Sequence, residues 1–206
     1  MKLFSKEQIY EGDKLTTERQ KITSTDLMER AGIQIFNWIH TRMQGAQVPI
    51  HVFCGIGNNG GDGLVLARHL VTHGYNVVTY IVNCSDKRTK DFLVNYDRIK
   101  NVTKDWPKML SCKNDFSEIV IKEEDIIVDA VFGKLVFFLP ETAKYTVQWE
   151  ALDIGIDRDY LIQTETDIEL ISKHEVLPLY KPRSKFSNKG DFGHVMILGG
   201  SYGKIG

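Results

Sequence analysis

Two amphipathic helices are predicted near the start of the chain. Ser5 and Gln8 form a capping-box pattern (Ser-x-x-Gln), which predicts a helix that begins just after Ser5. A second helix is predicted to open around Thr23 to Thr25. Its apolar residues recur at helical spacing and form one stripe: Leu27, Met28, Ala31, Ile35, Trp38 and Ile39. We interpret this stripe as a core-packing surface.

Short apolar runs then alternate with helical patterns. The predicted strands are residues 49–54, 76–82 and 125–133, and the predicted helices between them are 64–70, ending near Gly74, and 89–102. This alternation predicts an α/β fold, a Rossmann-like three-layer αβα arrangement with a mostly parallel sheet. The less regular second half is predicted to contain one more strand within 147–156.

Composition narrows the class of protein. The chain has 206 residues, 42% of them hydrophobic, which is enough for one sizeable core. A formal net charge of -1 argues against a nucleic-acid-binding surface, because phosphate neutralisation needs an excess of Lys and Arg. Three widely spaced cysteines without metal-ligand spacing predict reduced thiols in a cytoplasmic protein. No signal-peptide core or membrane-length apolar run is present in the sequence.

The glycine-rich turn after the first predicted strand is the main candidate site. Gly55, Gly57 and Gly60 have the G-x-G-x-x-G spacing, which lets backbone amides approach a pyrophosphate at a helix N-terminus; a purely structural turn is the alternative. A conventional NAD-dependent oxidoreductase is disfavoured, because no acid follows the second strand until Asp86. Asp62 would repel phosphate, which suggests another part of the ligand or an ion nearby; it could also be a helix N-cap.

Three motifs in order resemble one known family. The run Gly-x-Gly-Asn-Asn-Gly-Gly-Asp-Gly at 55–63, preceded by residues 27–32 and followed by 128–133, is similar to the YjeF N-terminal domain. The resemblance covers roughly residues 1–165. It implies an isomerase, an NAD(P)H-hydrate epimerase that interconverts the R and S forms of NADHX and NADPHX, the hydrated nicotinamide cofactors.

The same resemblance implies roles for individual residues. The hydrated dinucleotide would be contacted by Asn58, Asn59, Gly60, Gly61 and Asp62, and by a loop that begins at Gly133. Asn59 and Asp129 would bind a potassium ion, for which hard oxygen ligands are suitable. For Asp129 the alternative is a strand-end acid that simply faces water.

The end of the chain is similar to the opening of a second enzyme. Residues 189–194 and 199–201 resemble the start of the ADP- or ATP-dependent NAD(P)H-hydrate dehydratase, whose family fold is ribokinase-like. We therefore predict an epimerase domain over 1–165, a linker over 166–190 and the start of a truncated dehydratase domain over 191–206. The full protein would then also be a lyase that uses ADP or ATP.

The sequence departs from the family after Gly133. The family continues with a glycine-rich loop and a strand ending Asp-Ile-Pro-Ser-Gly, whereas Lys134 here leads directly into a segment that resembles much later family sequence. Either the chain has a true deletion or a segment was omitted from the sequence, and we favour the omission. The absent stretch would carry a substrate-contacting Asp and an ion-binding Ser, so no catalytic residue is assigned. We interpret the run 153–156 as structural.

A different class of function is kept as an alternative. A degenerate site would suit a non-catalytic YjeF-type module that binds a nucleotide or a protein. Otherwise we expect a small-molecule substrate as the binding partner, and neither a nucleic acid nor a membrane. Whether the chain forms a homo-oligomer is left open.

Overall fold

The computed structural model describes residues 1–83, 85–103, 105–111, 113–131, 150–171 and 176–179. The chain divides into two compact units. The larger unit is Ser5–Glu165, and the smaller combines Met1–Phe4 with Thr166–Gly206.

The larger unit contains six helices and four strands in its described part. The helices are α1 (Lys6–Gln20), α2 (Ser24–Met43), α3 (Asn58–Thr72), α4 (Lys90–Lys100), α5 (Lys113–Ser117) and α6 (Arg158–Gln163). The strands are β2 (Ile50–Cys54), β3 (Val77–Val82), β4 (Lys108–Leu110) and β5 (Ile126–Ala130). The smaller unit contributes β1 (Lys2–Leu3), β6 (Ile168–Glu169) and a 3₁₀ turn at Leu177–Leu179.

The two N-terminal helices start where the sequence predicts. Ser5 caps α1 with a full capping box, in which its hydroxyl accepts from the Gln8 amide and the Gln8 side chain accepts from the Ser5 amide. Thr23 caps α2 in the same way with Asp26. Each box satisfies two amides that a helix start leaves without partners.

The sheet confirms the predicted Rossmann-like α/β fold. Its four strands have the order β4-β3-β2-β5, and every neighbouring pair is parallel. The chain therefore crosses back over β2 to reach β5, so that β2 and β5 end side by side with Cys54 opposite Ala130. In open parallel sheets, this is the kind of place where ligands bind.

Helix α3 packs on one face of the sheet and completes the core. Val52, Cys54 and Leu64 are fully buried there. Gly63 allows the close approach, because a Cβ at this position would lie 2.6 Å from the Ala130 Cβ and 2.9 Å from the Cys54 Sγ. Burial raises the pKa of the Cys54 thiol, so this cysteine is an inert core residue.

Two predicted elements need correction. Helix α3 begins at Asn58 rather than at residue 64, since the glycine-rich run forms its first turns. Residues 150–156 form neither a helix nor a strand, although a strand was predicted within 147–156. Their backbone is used differently, because the carbonyls of Ile154 and Gly155 accept hydrogen bonds from side chains of the N-terminal helices. Residues 147–149 lie outside the described residues.

The smaller unit is described only in part. β1 and β6 pair antiparallel, with Lys2 opposite Glu169. β6 thus lies within the predicted linker 166–190. The predicted dehydratase start at 191–206 lies outside the described residues.

Candidate functional site

The end of β2 leads into the helix α3 through a very short turn. Gly57 is the N-cap residue of α3, and no side chain caps the helix there. The first amides of a helix have no acceptor within it, and they carry partial positive charge. The start of α3 can therefore donate hydrogen bonds to an anionic ligand.

The sequence left open whether Asp62 caps this helix, and the structure shows that it does not, because the N-cap is Gly57. Asp62 lies in the second turn of α3, four residues after Asn58 begins the helix. Its side chain consequently belongs to the flank of the helix rather than to its tip.

The glycines of the run allow tight packing between neighbouring segments. A Cβ on Gly60 would lie 1.8 Å from the Gly55 carbonyl oxygen, and a Cβ on Gly61 would lie 2.5 Å from the Met28 sulfur. Gly60 and Gly61 are both buried. Gly55 in turn abuts the Val131 carbonyl oxygen, at 2.5 Å from its would-be Cβ. Because these glycines have no side chains, the turn can pack closely against the end of β5 and against α2.

A cavity of about 360 Å³ opens beside the first turns of α3. Two of the predicted site residues, Asn58 and Asp62, line it. The other lining residues come from α1, α2, α4 and the 150–157 segment: Tyr10, Asp13, Lys14, Thr17, Ser24, Leu27, Met28, Ala31, Asp91 and Ile154. The lining therefore includes three carboxyl groups, the ammonium group of Lys14 and several apolar side chains.

The surroundings of Asp62 in this cavity raise the pKa of its carboxyl group. Burial and, to a smaller extent, the negative charges of Asp13 and Asp91 together raise the pKa of Asp62 to about 7. Burial also raises the pKa of Asp13. Asp91 is buried and accepts a hydrogen bond from the Thr25 hydroxyl. A carboxyl with a pKa near neutrality can both donate and accept a proton under physiological conditions.

Asp129 lies at the same edge of the sheet but on its other face. It is exposed near the end of β5, and its Oδ1 accepts a hydrogen bond from the Val131 amide at 2.9 Å. Its register partner is Phe53, whereas the neighbouring pair Cys54 and Ala130 faces α3. Asp129 therefore does not line the cavity that contains Asn58 and Asp62.

The predicted potassium ligands have suitable chemistry. Asn59 is half-buried in the first turn of α3, and Asp129 lies near the end of β5, the strand next to the one that enters α3. Both offer the oxygen atoms that potassium requires, and one carboxylate oxygen of Asp129 remains beyond the bond to Val131. Gly133 lies outside the described residues.

Sequence patterns did not reveal three residues of this cavity. Asp13 lies inside α1, Asp91 lies at the start of α4, and Ile154 lies in the irregular segment. None belongs to a motif, and only the tertiary packing of their elements brings them to one space. The position of Asp91 two residues after the α4 cap at Thr89 indicates only a helix start.

Two further features concern metal binding and membrane spanning. The described residues contain no group of three or more His, Cys, Asp or Glu side chains arranged to hold a metal ion. Within the same ranges, no helix combines the length and the hydropathy needed to cross a membrane.

Comparison with known proteins shows similarity to one family and to several of its named members. A family model described as "YjeF-related protein N-terminus" matches residues 24–154. The chain is 29% identical over 164 residues to an NAD(P)H-hydrate epimerase of Anaerococcus prevotii, covering 71% of this chain and 72% of that protein. It is 25% identical to a bifunctional NAD(P)H-hydrate repair enzyme of Coxiella burnetii, covering 99% of this chain and 52% of that protein.

One solved structure is also similar to the chain. The crystal structure of yeast ynu0 superposes with a TM-score of 0.53 at 31% identity, covering 65% of this chain and 57% of the yeast chain. The chain spans 23% and 52% of the length of two bifunctional relatives that it matches. The Coxiella alignment extends over 265 positions, more than the 206 residues of the chain, so that relative has segments without a counterpart here.

Proposed function

Because the chain belongs to the family described as YjeF-related protein N-terminus, we propose that it is an NAD(P)H-hydrate epimerase. It would interconvert the R and S forms of NADHX and NADPHX, in which water has added to the reduced nicotinamide ring. The relatives that are named epimerases and repair enzymes support this substrate class. The observation that carries the proposal is the cavity at the start of α3, where Asn58 and Asp62 face one space.

The start of α3 would bind the charged part of the dinucleotide. Its uncapped amides, from Asn58 to Gly60, would donate to the pyrophosphate, and the helix dipole would add to the attraction. The carboxyl of Asp62 is compatible with a pyrophosphate bound at the start of α3 for two reasons. It lies one turn further along the helix, and with a pKa of about 7 it is only partly ionised at neutral pH.

Asp62 is also the proposed proton-transfer group. In the proposed route, epimerisation breaks and remakes the bond between the hydrated carbon and its hydroxyl oxygen. As the bond breaks, protonated Asp62 would give its proton to the hydroxyl, which leaves as water, and the ring would become planar and positively charged. Water would then add to either face and return one proton to the Asp62 carboxylate, so that the enzyme is restored. The carboxyl groups of Asp13 and Asp91 would stabilise the positive ring.

A potassium ion is proposed as a further component of the site. Asn59 and Asp129 would hold it through side-chain oxygens, and when bound it would supply positive charge near the phosphates or the leaving oxygen. The remaining substrate contacts would come from the loop that begins at Gly133.

We extend the proposal to a longer protein with a second activity. The match to bifunctional relatives supports fusion to an NAD(P)H-hydrate dehydratase that uses ADP or ATP, with its first residues at 191–206. The epimerase would then convert the epimer that the dehydratase cannot use. A cytoplasmic location is part of the same proposal, since the nicotinamide cofactors are used there.

A non-catalytic binding module is the second candidate. The 265-position alignment favours it, because segments of the relative without a counterpart here could include part of a catalytic site. Such a module would bind the hydrated dinucleotide and leave its stereochemistry unchanged.

The test is an epimer assay coupled to a purified dehydratase. A mixture of R and S NADHX is given to the dehydratase with ATP and potassium, and the loss of each epimer is followed chromatographically. We expect the chain to accelerate depletion of the R form beyond its spontaneous rate, and Asp62→Asn to lower that rate about a hundredfold.

A matched substitution controls for general effects of losing an acid. Asp97 is an exposed aspartate of α4 that pairs with Lys100, so Asp97→Asn should leave the rate unchanged. Binding of NADHX without any acceleration of R depletion would favour the non-catalytic module and exclude the epimerase.

A further inference from the structure

Residues 150–157 form a segment that runs across the N-terminal helices of the larger unit. The sequence pattern predicts a structural strand at 153–156, but these residues pair with no strand among the residues that the structure describes. They are attached by side chains instead. Because one residue of the segment also lines the cavity beside α3, its attachment bears on the shape of the site.

Arg30 is the central attachment of this segment. From α2, its Nη1 donates to the carbonyl oxygens of Gly155 at 3.1 Å and Ile154 at 3.3 Å, and to the Gln20 side-chain oxygen at 2.9 Å. Gln20 in turn donates from its Nε2 to the Gly155 carbonyl oxygen at 2.8 Å. The two side chains thus hold one short stretch of backbone from two helices.

Gly155 is required for this contact. Its φ of +73° lies in the left-handed region, and a Cβ there would be 2.6 Å from Arg30 Nη1. Asp153 stabilises the bend, because its Oδ1 accepts a hydrogen bond from the Gly155 amide at 2.8 Å. The next turn is anchored separately, where the Asp157 amide donates to the buried Thr16 hydroxyl at 2.8 Å.

The attached backbone directs Ile154 to the cavity. Ile154 lines it together with the apolar side chains of Leu27, Met28 and Ala31. The carboxyl of Asp62 lines the same cavity. The methylene edge of a hydrated nicotinamide ring can lie against these apolar side chains, with the ring hydroxyl near Asp62.

We infer that Ile154 is a specificity-determining residue for the nicotinamide-derived ring, and that Arg30 is a positioning residue that holds Ile154 in the cavity wall. This inference rests on the proposed function, because the ring is that of the proposed substrate. It gives the run 153–156 a role in the site rather than a purely structural one.

The first test compares two arginines of the same helix. Arg30→Gln removes the attachment beside the cavity, whereas Arg42→Gln removes a 2.7 Å ion pair from α2 to Glu150, in the same segment but outside the cavity lining. We expect Arg30→Gln to raise KM for NADHX about tenfold with kcat within twofold of wild type. Arg42→Gln should change neither constant, and Arg30→Lys should recover part of the loss.

The second test compares two isoleucines of the segment. Ile154→Ala removes apolar contact from the cavity wall, while Ile156→Ala removes it near Gly12 and outside the cavity lining. We expect the dissociation constant for NADHX, measured by calorimetry on the full chain, to rise about fivefold to tenfold for Ile154→Ala only. Thermal unfolding of both variants shows that each is folded.

The outcomes separate this inference from the proposed function. If the wild type epimerises NADHX but Arg30→Gln and Arg42→Gln give equal KM values, the inference is wrong and the function stands. If the wild type binds NADHX without turnover and only Arg30→Gln and Ile154→Ala weaken binding, the function is wrong and the inference stands. If the wild type binds no NADHX, both are overturned.

Discussion

Asp62 combines a predicted binding position with an unusual electrostatic environment. It extends from the flank of α3 into a cavity that Asp13 and Asp91 also line. Three carboxyl groups around one space are costly to ionise together, because each disfavours the charge of the others. This arrangement should therefore be detectable as a cost in stability.

Asp62→Asn should therefore stabilise the protein at high pH. The pKa of Asp62 is about 7 in the folded state and near 4 when unfolded, so between these values the folded state binds the extra proton. Stability is lost as pH rises through this window, and above pH 7 the ionised carboxylate stays buried. We expect the asparagine variant to be more stable than wild type by at most about 4 kcal/mol at pH 8, and the difference to vanish near pH 4.

Urea unfolding at a series of pH values measures this difference. Asp97→Asn provides the control, because Asp97 is exposed beside Lys100. A difference between Asp62→Asn and wild type that is constant across the pH range would contradict the raised pKa.

Gly60 and Gly57 give a second prediction at the scale of single residues. Gly60→Ala should destabilise the protein by about 2–4 kcal/mol, because its Cβ would lie 1.8 Å from the Gly55 carbonyl oxygen and the turn must open. Gly57→Ala should cost less than about 1 kcal/mol, since no atom lies within 4 Å of its Cβ. Chemical denaturation of the two variants is the measurement, and equal losses would show that packing is not the reason for Gly60.

At the scale of elements, local sequence signals were reliable where the interactions are local. The starts of α1 and α2 follow from capping boxes at Ser5 and Thr23, which act within four residues. The start of α3 was predicted too late, because glycine has a low helix propensity and only packing against Gly55 and Met28 makes the run helical. The three-residue strand β4 was missed because so short a run has no period of its own.

The face of the sheet opposite α3 contains a polar network that sequence patterns did not reveal. His51 lies between the Tyr80 hydroxyl, 3.1 Å from its Nδ1, and the Asp125 carboxylate, 3.2 Å from its Nε2. All three side chains are buried, and in the described part of the chain Asp125 Oδ1 has no partner. The network joins β2, β3 and the residue before β5.

We expect His51 to hold these strands together. His51→Leu would leave the buried Asp125 carboxylate with only the Lys122 amide, and should cost about 3 kcal/mol. Tyr80→Phe removes one hydrogen bond and keeps the ring stacked on Phe53, and should cost about 1 kcal/mol. Equilibrium unfolding in urea compares them, and a loss for His51→Leu no larger than for Tyr80→Phe would show that Asp125 finds other compensation.

At the scale of the whole molecule, strand order explains why the site could be predicted only in part. The glycine run and Asp129 are about seventy positions apart in the chain, and the parallel pairing of β2 with β5 brings them to one edge of the sheet. The motif could identify Asn58 and Asp62, because both lie within the glycine run itself. It could not identify Asp13, Asp91 or Ile154, whose place in the cavity depends on how separate elements pack.

The proposed potassium ion would join α3, through Asn59, to β5, through Asp129, and should therefore stabilise the whole fold. An ion that binds only the folded state raises the free energy of unfolding by mass action, so its effect appears in the melting temperature. We expect the melting temperature to be about 2–4 °C higher in potassium chloride than in lithium chloride of equal ionic strength. Asp129→Asn, which removes the charged ligand at the end of β5, should abolish this difference, while Asp97→Asn should preserve it. Since both salts screen surface charges equally, an unchanged response in Asp129→Asn would place the ion elsewhere, and no difference between the salts in wild type would remove potassium from the proposed site.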